Sequence, residues 1–223
     1  NPLKCNAAIR RWLMSLGVVL REGESVQTLA RDAHGFLVQT TKGVALRAGT
    51  LVLATAAGTT SLAAQFGVHI PAHAEPLHMN ITEATAPMIG HLVQHADRMI
   101  TLKQFSTGQI VIGGGWPADI AGDRNHPTVR LDSLIANATL ARHIAPQIGP
   151  LRIIRTWAGV NTSVDGKGVL GPVPSVPGLH FAVPGDAGYT LGPLSAQFVA
   201  NMVLGRDPGE DMTDYAPTRF KAA

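Results

Sequence analysis

The chain is 223 residues long, 45% hydrophobic and 15% charged, with a formal net charge of +3 and a sequence pI near 9.4. That length buries a substantial core, as one large domain or two small ones. The basic residues are scattered without a run or a basic-aromatic alternation, which excludes a nucleic-acid groove, and Cys5 as the sole cysteine excludes a disulfide framework or a thiolate metal cluster.

A single cysteine fits a reducing compartment, and the expected location is the cytoplasm. No apolar run reaches the roughly 18 residues of a membrane span, and no signal peptide opens the chain. The low charge content favours a chain that expects a partner, either another subunit in a hetero-oligomer or a missing N-terminal segment. "NPLKCNAAIRRWLMSLGVVL" lacks an initiator Met and starts on a helix signal, so the chain reads as one entered partway through.

Asn1 and Pro2 supply an N-cap and first helical position, Ile9, Trp12, Leu13 and Leu16 recur at helical spacing, and Gly17 ends the helix. Cys5 inside it is expected to serve as a small apolar residue. "SVQTLARD", "FLVQTT" and "VALRA" follow as a three-stranded meander, turned at His34-Gly35 and Lys42-Gly43. "TLVLAT", residues 50–55, is nearly continuously apolar, as for a strand covered on both faces, and leads into a helix at "TTSLAAQFG". "LHMNITEA", "MITLKQF" and "QIVIGGGW" predict longer antiparallel strands, the last two joined at Ser106-Thr107-Gly108. An amphipathic helix is predicted over "LDSLIANATLARHIAPQIG", with Leu131, Leu134, Ile135, Ala138 and Ile144 on its apolar side. Next come the strand "LRIIRTWAG", a hairpin turn at Asp165-Gly166, and the strand "LHFAVP". A glycine-rich turn "GDAGYTLGP" follows, then a helix that starts at Pro193 and stops at Gly205.

The order predicts an α+β or α/β protein in two interleaved parts. Residues 1–68 and 155–223 form one part, and an antiparallel sheet with a helix, residues 69–154, is inserted between them.

"GDAGYTLGP" before a helix is the most informative local feature. Its glycines allow close backbone approach, and the helix presents unpaired N–H groups and a positive dipole end. Such a turn serves an anion or a ring oxygen gaining charge, or it is plain strand-turn-helix geometry. No G-x-G-x-x-G leads from a strand into a helix, and no G-x-x-x-x-G-K-[ST] occurs. His91 and His95 would share a helix face, but no carboxylate ligand stands at a suggestive spacing, and no metal site is assigned. Arg155 and Trp157 alternate onto one strand face, where Arg155 would serve a ligand carboxylate or a structural ion pair. No Ser-His-Asp or paired-carboxylate signature is present, and no catalytic side chain is assigned.

Taken in order, "VLAT", the "TEA" strand, "RTWAG…DG…LGPVP", "GYTLGP" and the terminal "YAPTRF" resemble the C-terminal portion of FAD-dependent oxidoreductases of the D-amino-acid oxidase superfamily. The branch is that of glycine oxidase, sarcosine oxidase and the B subunits of opine oxidases. The resemblance implies part of an FAD-binding Rossmann-like domain interleaved with an antiparallel-sheet substrate domain. It implies FAD as cofactor and a small amine, amino acid or opine as substrate, oxidised by hydride transfer to flavin N5. The alternative is a non-catalytic subunit or remnant acting as an interaction module.

The resemblance places cofactor contacts at Val26, at Ala54, Thr55 and Ala56, and at Gly188, Tyr189, Thr190 and Leu191. Ala56 stands where the family usually has Gly. Asn161 stands where members reading "WAGLRPGT" have an Arg that clamps the substrate carboxylate, and an Asn cannot form that bidentate fork. Substrate contacts are therefore expected at Asn161 and at Arg155, and Arg155 or a residue outside this sequence would take the carboxylate instead. The family's G-x-G-x-x-G unit would precede Asn1, so the chain alone is expected to be incomplete for FAD binding and to leave apolar sheet edges exposed.

Overall fold

A computed structural model describes residues 2–121 and 126–220; the N-cap expected of Asn1 lies outside them. Helix α1 (Pro2–Ser15) ends where predicted. Gly17 adopts φ 80°, and the bonds Gly17 N–H to Met14 O and Val18 N–H to Leu13 O close it as a Schellman motif. The helix buries no residue, and Trp12 is 62% exposed. Cys5 is exposed too, contrary to its expected packing role.

Strands β1 (Val26–Asp32), β2 (Gly35–Thr40) and β3 (Ala45–Ala48) form the predicted meander. The tight turn before β2 requires glycine, since a Cβ on Gly35 would lie 2.5 Å from the Ala48 carbonyl oxygen. Phe36 plugs the underlying core and meets Phe66 edge-on, ring centroids 5.7 Å apart.

Strand β4 (Leu51–Leu53) passes through a tight turn at Ala56–Gly58 into α2 (Thr59–Ala64). The expectation that β4 is covered on both faces fails. It lies at the edge of a three-stranded sheet, and Val52 is 40% exposed.

The large sheet is antiparallel, built from β5 (His73–Ala84), β6 (Val93–Gln94), β7 (Thr101–Gln104), β8 (Gln109–Gly113) and a long strand formed after the next helix. His91 and His95 flank β6, so no helix face joins them. A small ribbon, β9 (Asp119–Ala121) with β10 (His126–Thr128), leads to helix α3 (Leu131–Ile144). The long strand is β11 (Ile153–Ser163), which completes the sheet order β11-β5-β8-β7-β6.

Helix α3 is rolled from its predicted apolar side: Leu134, Ala138 and Ile144 are half-buried, and Ile144 packs on the core as expected. Ser133, Asn137 and Ala141 face inward, while Leu131 is 70% and Ile135 55% exposed. Hydrogen bonds decide the orientation. Asn80 Nδ2 donates to Asn137 Oδ1 at 3.0 Å, Asn137 Nδ2 donates to the Gly113 carbonyl at 3.0 Å, and Ser133 Oγ donates to the Pro117 carbonyl at 2.7 Å. These groups are buried and would be left unpaired if the helix rolled its leucines inward.

Asp165-Gly166 makes the expected turn, with Gly166 at φ 85° and Lys167 N–H bonded to Asp165 Oδ1, but the turn does not close a hairpin. It carries the chain from β11 to another sheet, where β12 (Val169–Pro172) pairs antiparallel with β13 (Leu179–Val183), and β13 runs parallel to β4. Helix α4 (Gly188–Val203) starts five residues before the predicted Pro193, which lies within it. A tight turn at Gly185–Ala187 feeds straight into that helix, so its first turn consists of Gly188 to Leu191.

The chain is a mixed helix-and-sheet protein with two cores. One gathers Leu29, Phe36, Leu53, Ile70, Val169 and Phe181. The other packs Leu102, Ile110 and Ile112 of the large sheet against Ala141 and Ile148.

Candidate functional site

Parallel strands expose their ligand-binding loops at their carboxyl ends. Here β4 and β13 are parallel neighbours, with Leu53 opposite Phe181, so the residues leaving both strands emerge on the same side. From β4 come Ala54, Thr55 and Ala56; from β13 come the Gly185–Ala187 turn and then Gly188, Tyr189, Thr190 and Leu191. The structure thus brings together seven of the eight predicted cofactor contacts at one sheet end. Val26 is elsewhere, exposed at the start of β1 in the meander.

Ala56 is the only non-glycine residue with positive φ, 51°, among the described residues. The turn around it is held by Gly58 N–H to the Thr55 carbonyl at 2.9 Å and by a 3.0 Å hydroxyl pair, Thr55 with Thr59. On the other side, no side chain caps the start of α4, which leaves its first-turn N–H groups available. A Cβ on Gly192 would meet nothing within 4 Å, so the approach to that turn is open. Tyr189 donates to the Pro2 carbonyl at 3.3 Å, which sets the start of α1 against the start of α4. A hydrogen bond with Cys5 pushes the Tyr189 phenol up from its ordinary pKa.

The Ala56–Gly58 turn touches β5 and β11, and the Gly185–Ala187 turn touches β11. Directly opposed residues of an antiparallel pair share a face. Arg155, Trp157, Gly159 and Asn161 of β11 therefore share the face of Ile81, Met79, Leu77 and Glu75 of β5, away from α3. Asn161 Nδ2 donates to Glu75 Oε2 at 3.2 Å. Arg155 lies six residues from Asn161, about 20 Å along an extended strand, and its guanidinium sits 5.9 Å from the Trp157 ring. The two predicted substrate contacts share a face but are far apart.

Beside the second of these turns lies a cavity of about 720 Å³, lined by residues 94–101, Gly114, Gly115 and Asp186 of the β13 turn. This size suits a small-molecule site. The chain before β7 carries no motif, so its part in the wall was invisible in sequence. The "IGGGWP" run was the available signal. A Cβ on Gly114 would lie 2.4 Å from Ile100 Cα, so the two segments touch backbone to backbone.

Behind the sheet, His78 is fully buried beside Asn80, and neither ring nitrogen has a hydrogen-bond partner. Burial holds its pKa below the ordinary histidine value, with Asn80 opposing in part.

The residues present fit the ring end of a flavin: open glycines, uncapped N–H groups and small side chains at the ends of parallel strands. They do not supply a pyrophosphate cradle. Gly166, Gly168 and Gly171 spell G-x-G-x-x-G but enter strand β12 rather than a helix. Gly166 serves the turn at φ 85°, Gly168 serves packing, since a Cβ there would lie 2.9 Å from the Val183 carbonyl oxygen, and a Cβ on Gly171 would lie 3.1 Å from Met202 Sδ.

A family model described as FAD dependent oxidoreductase matches residues 1–202. The chain is 26% identical over 205 residues to a glycine oxidase of Pseudomonas aeruginosa, covering 89% of this chain and 53% of that protein. It is 26% identical over 175 residues to an uncharacterized oxidoreductase, YurR, of Bacillus subtilis, covering 76% and 46%. Among solved structures, L-proline dehydrogenase from P. horikoshii superimposes with a TM-score of 0.85 at 23% identity, over 98% of this chain and 59% of that one. Iminodiacetate oxidase from Chelativorans sp. BNC1 gives 0.82 at 20% identity, over 95% and 57%. Those structural likenesses speak for the fold alone, and the chain spans about half the length of the curated relatives it matches. With 202 of 223 residues inside the matched span and the loops converging as described, the chain belongs to the FAD dependent oxidoreductase family.

Proposed function

We propose that the protein oxidises a small amine or amino acid at the carbon beside nitrogen, with FAD as cofactor, and releases an imine that water hydrolyses. FAD supplies the hydride acceptor, its N5, when bound. The chain's own residues position and polarise. The α4 first-turn N–H groups, from Gly188 onward, would favour the ring edge that gains negative charge, and the small residues Ala54 to Ala56 would pack against the dinucleotide. The large sheet's open face, with Asn161 and Glu75 nearest the turns, would form the substrate side. We assign residues 1–68 and 155–223 to the cofactor part and 69–154 to the substrate part, with β11 (Ile153–Ser163) crossing that boundary and carrying Asn161 into the large sheet.

The contact of both turns with β11, together with a cavity of about 720 Å³ that reaches Asp186 of one of them, carries this reading. The test is the visible spectrum of the protein expressed from its whole reading frame. Flavin bands that bleach on adding an amine or amino acid are expected. A correctly folded, colourless protein would refute the enzyme and leave the interaction-module reading.

A further inference from the structure

On the proposed function, the cavity that reaches Asp186 admits the substrate, and its wall has to keep one shape. Part of that wall is the chain leaving β8, where Gly114 and Gly115 stand at φ 117° and 82°. Gly113 to Gly115 are three glycines in succession, the residue type with the greatest backbone freedom. Neighbouring groups therefore have to impose the shape of this segment. Up to Gly113 the strand pairing does so, since Gly113 lies opposite Thr101 at the last register position of β7 and β8.

Beyond Gly113 single hydrogen bonds take over. The Gly113 carbonyl accepts from Asn137 Nδ2 at 3.0 Å, where the pairing ends and the free glycines begin. Asn137 is fully buried, and its orientation is fixed in turn by Asn80, whose Nδ2 donates to Asn137 Oδ1 at 3.0 Å. With that oxygen engaged, the donor end of the amide is the one turned to Gly113. Asn137 does not itself line the cavity. Ser133 makes a similar bond from the same helix, to the Pro117 carbonyl at 2.7 Å. Pro117, however, lines with Trp116 a separate apolar cavity of about 750 Å³ beside α3.

We propose that Asn137 is a positioning residue for the substrate. Its donated bond anchors the glycine wall beside Asp186 from outside the cavity, and substrate affinity depends on that bond.

The test compares the full protein with three variants by two readouts. One is hydrogen exchange of residues 109–116, which needs no flavin; the other is the KM of the amine or amino acid that bleaches the flavin. Asn137→Ser, whose hydroxyl stops short of the Gly113 carbonyl, should speed that exchange about fivefold, the worth of one hydrogen bond. It should raise KM about ten-fold or more and leave kcat within about threefold. Asn137→Asp is the rescue. Burial keeps the introduced carboxyl protonated at about pH 6, where it donates to Gly113 and accepts from Asn80 as the amide does. Both readouts should then match the parent. Towards about pH 9 it ionises and the bond is lost, so the change should appear within one folded protein even if Asn137→Ser does not fold. Ser133→Ala, which loses a bond at the other cavity, should leave KM unchanged. Unchanged exchange or KM in Asn137→Ser, an Asn137→Asp profile that does not improve towards the lower pH, or an equal rise in KM for Ser133→Ala overturns the proposal. The spectrum keeps the two readings apart. Colourless protein whose residues 109–116 open in Asn137→Ser refutes only the flavin chemistry, and yellow protein whose KM is indifferent refutes only the positioning role.

Discussion

Ala56 offers a direct test of the turn that follows β4. Its φ of 51° lies in the left-handed region, which costs an L-residue about 1–2 kcal/mol relative to glycine. Its methyl is exposed, so Ala56→Gly loses no packing. Glycine's extra freedom in the unfolded chain offsets about 0.4–1 kcal/mol of the gain. The net expectation is a stabilisation of about 1 kcal/mol, or a Tm rise of about 2–4 °C for a chain of this size. Ala57→Gly is the control. Ala57 has negative φ, so the same chemical change should destabilise by about 0.5–1 kcal/mol. Thermal and urea unfolding of the three proteins, with FAD titration alongside, make the comparison. A Tm for Ala56→Gly at or below that of the unsubstituted protein would refute the left-handed assignment. FAD affinity should hold or rise, because removing the methyl opens the turn.

Asn137→Ala should destabilise by about 2–4 kcal/mol in urea unfolding, because it strands Asn80 Nδ2 and the Gly113 carbonyl, both buried. For His78, the depressed folded-state pKa means the unfolded chain takes up its proton first, near pH 6.5. Stability should therefore be full above that pH and fall on acidification towards the folded pKa, by at most about 1.4 kcal/mol per pH unit, and His78→Gln should flatten the profile of Tm against pH. Asp165 is held below the usual carboxylate range chiefly by Arg219, which it meets at 2.8 and 2.9 Å. Asp165→Asn should loosen residues 213–220 and raise their hydrogen-exchange rate, and acid should do the same in the parent as pH falls below about 4.

The parts of this fold readable in sequence are those where local chemistry decides. Gly35 before β2 and Gly108 in the β7–β8 turn, at φ 111° and 93°, mark positions other residues adopt only under strain, so the meander and the hairpin followed from spacing alone. The strand-turn-helix at Gly185–Gly188 was likewise visible, though its helix starts earlier than Pro193 suggests. Proline is excluded from helix interiors only where the lost N–H bond and the clash are not compensated, and here the preceding turn already has helical direction. The pairing of Asn161 with Glu75 joins residues 86 positions apart and depends on register, which no local pattern states. For the same reason nothing in sequence separated Arg155 from Asn161 as candidates. They share a face, and only register, which pairs Asn161 with Glu75 and Arg155 with Ile81, distinguishes them.

The rolled face of α3 shows how buried polar bonds fix packing that an apolar pattern leaves open. An apolar face against the sheet would slide with little penalty, since hydrophobic contact is non-directional. Asn137 and Ser133 bond instead to the carbonyls of Gly113 and Pro117, so the helix has one position relative to the chain segment leaving β8. That segment carries Gly114 and Gly115 into one cavity and Trp116 into the other. The width of the apolar cavity between Trp116 and Ala136 is then set by two buried polar bonds, and exposing Leu131 and Ile135 is the cost of that fixed spacing. Disturbing the polar seam should therefore change the cavity beside α3 before it changes whether the turns after β4 and β13 form, because those turns belong to the other core.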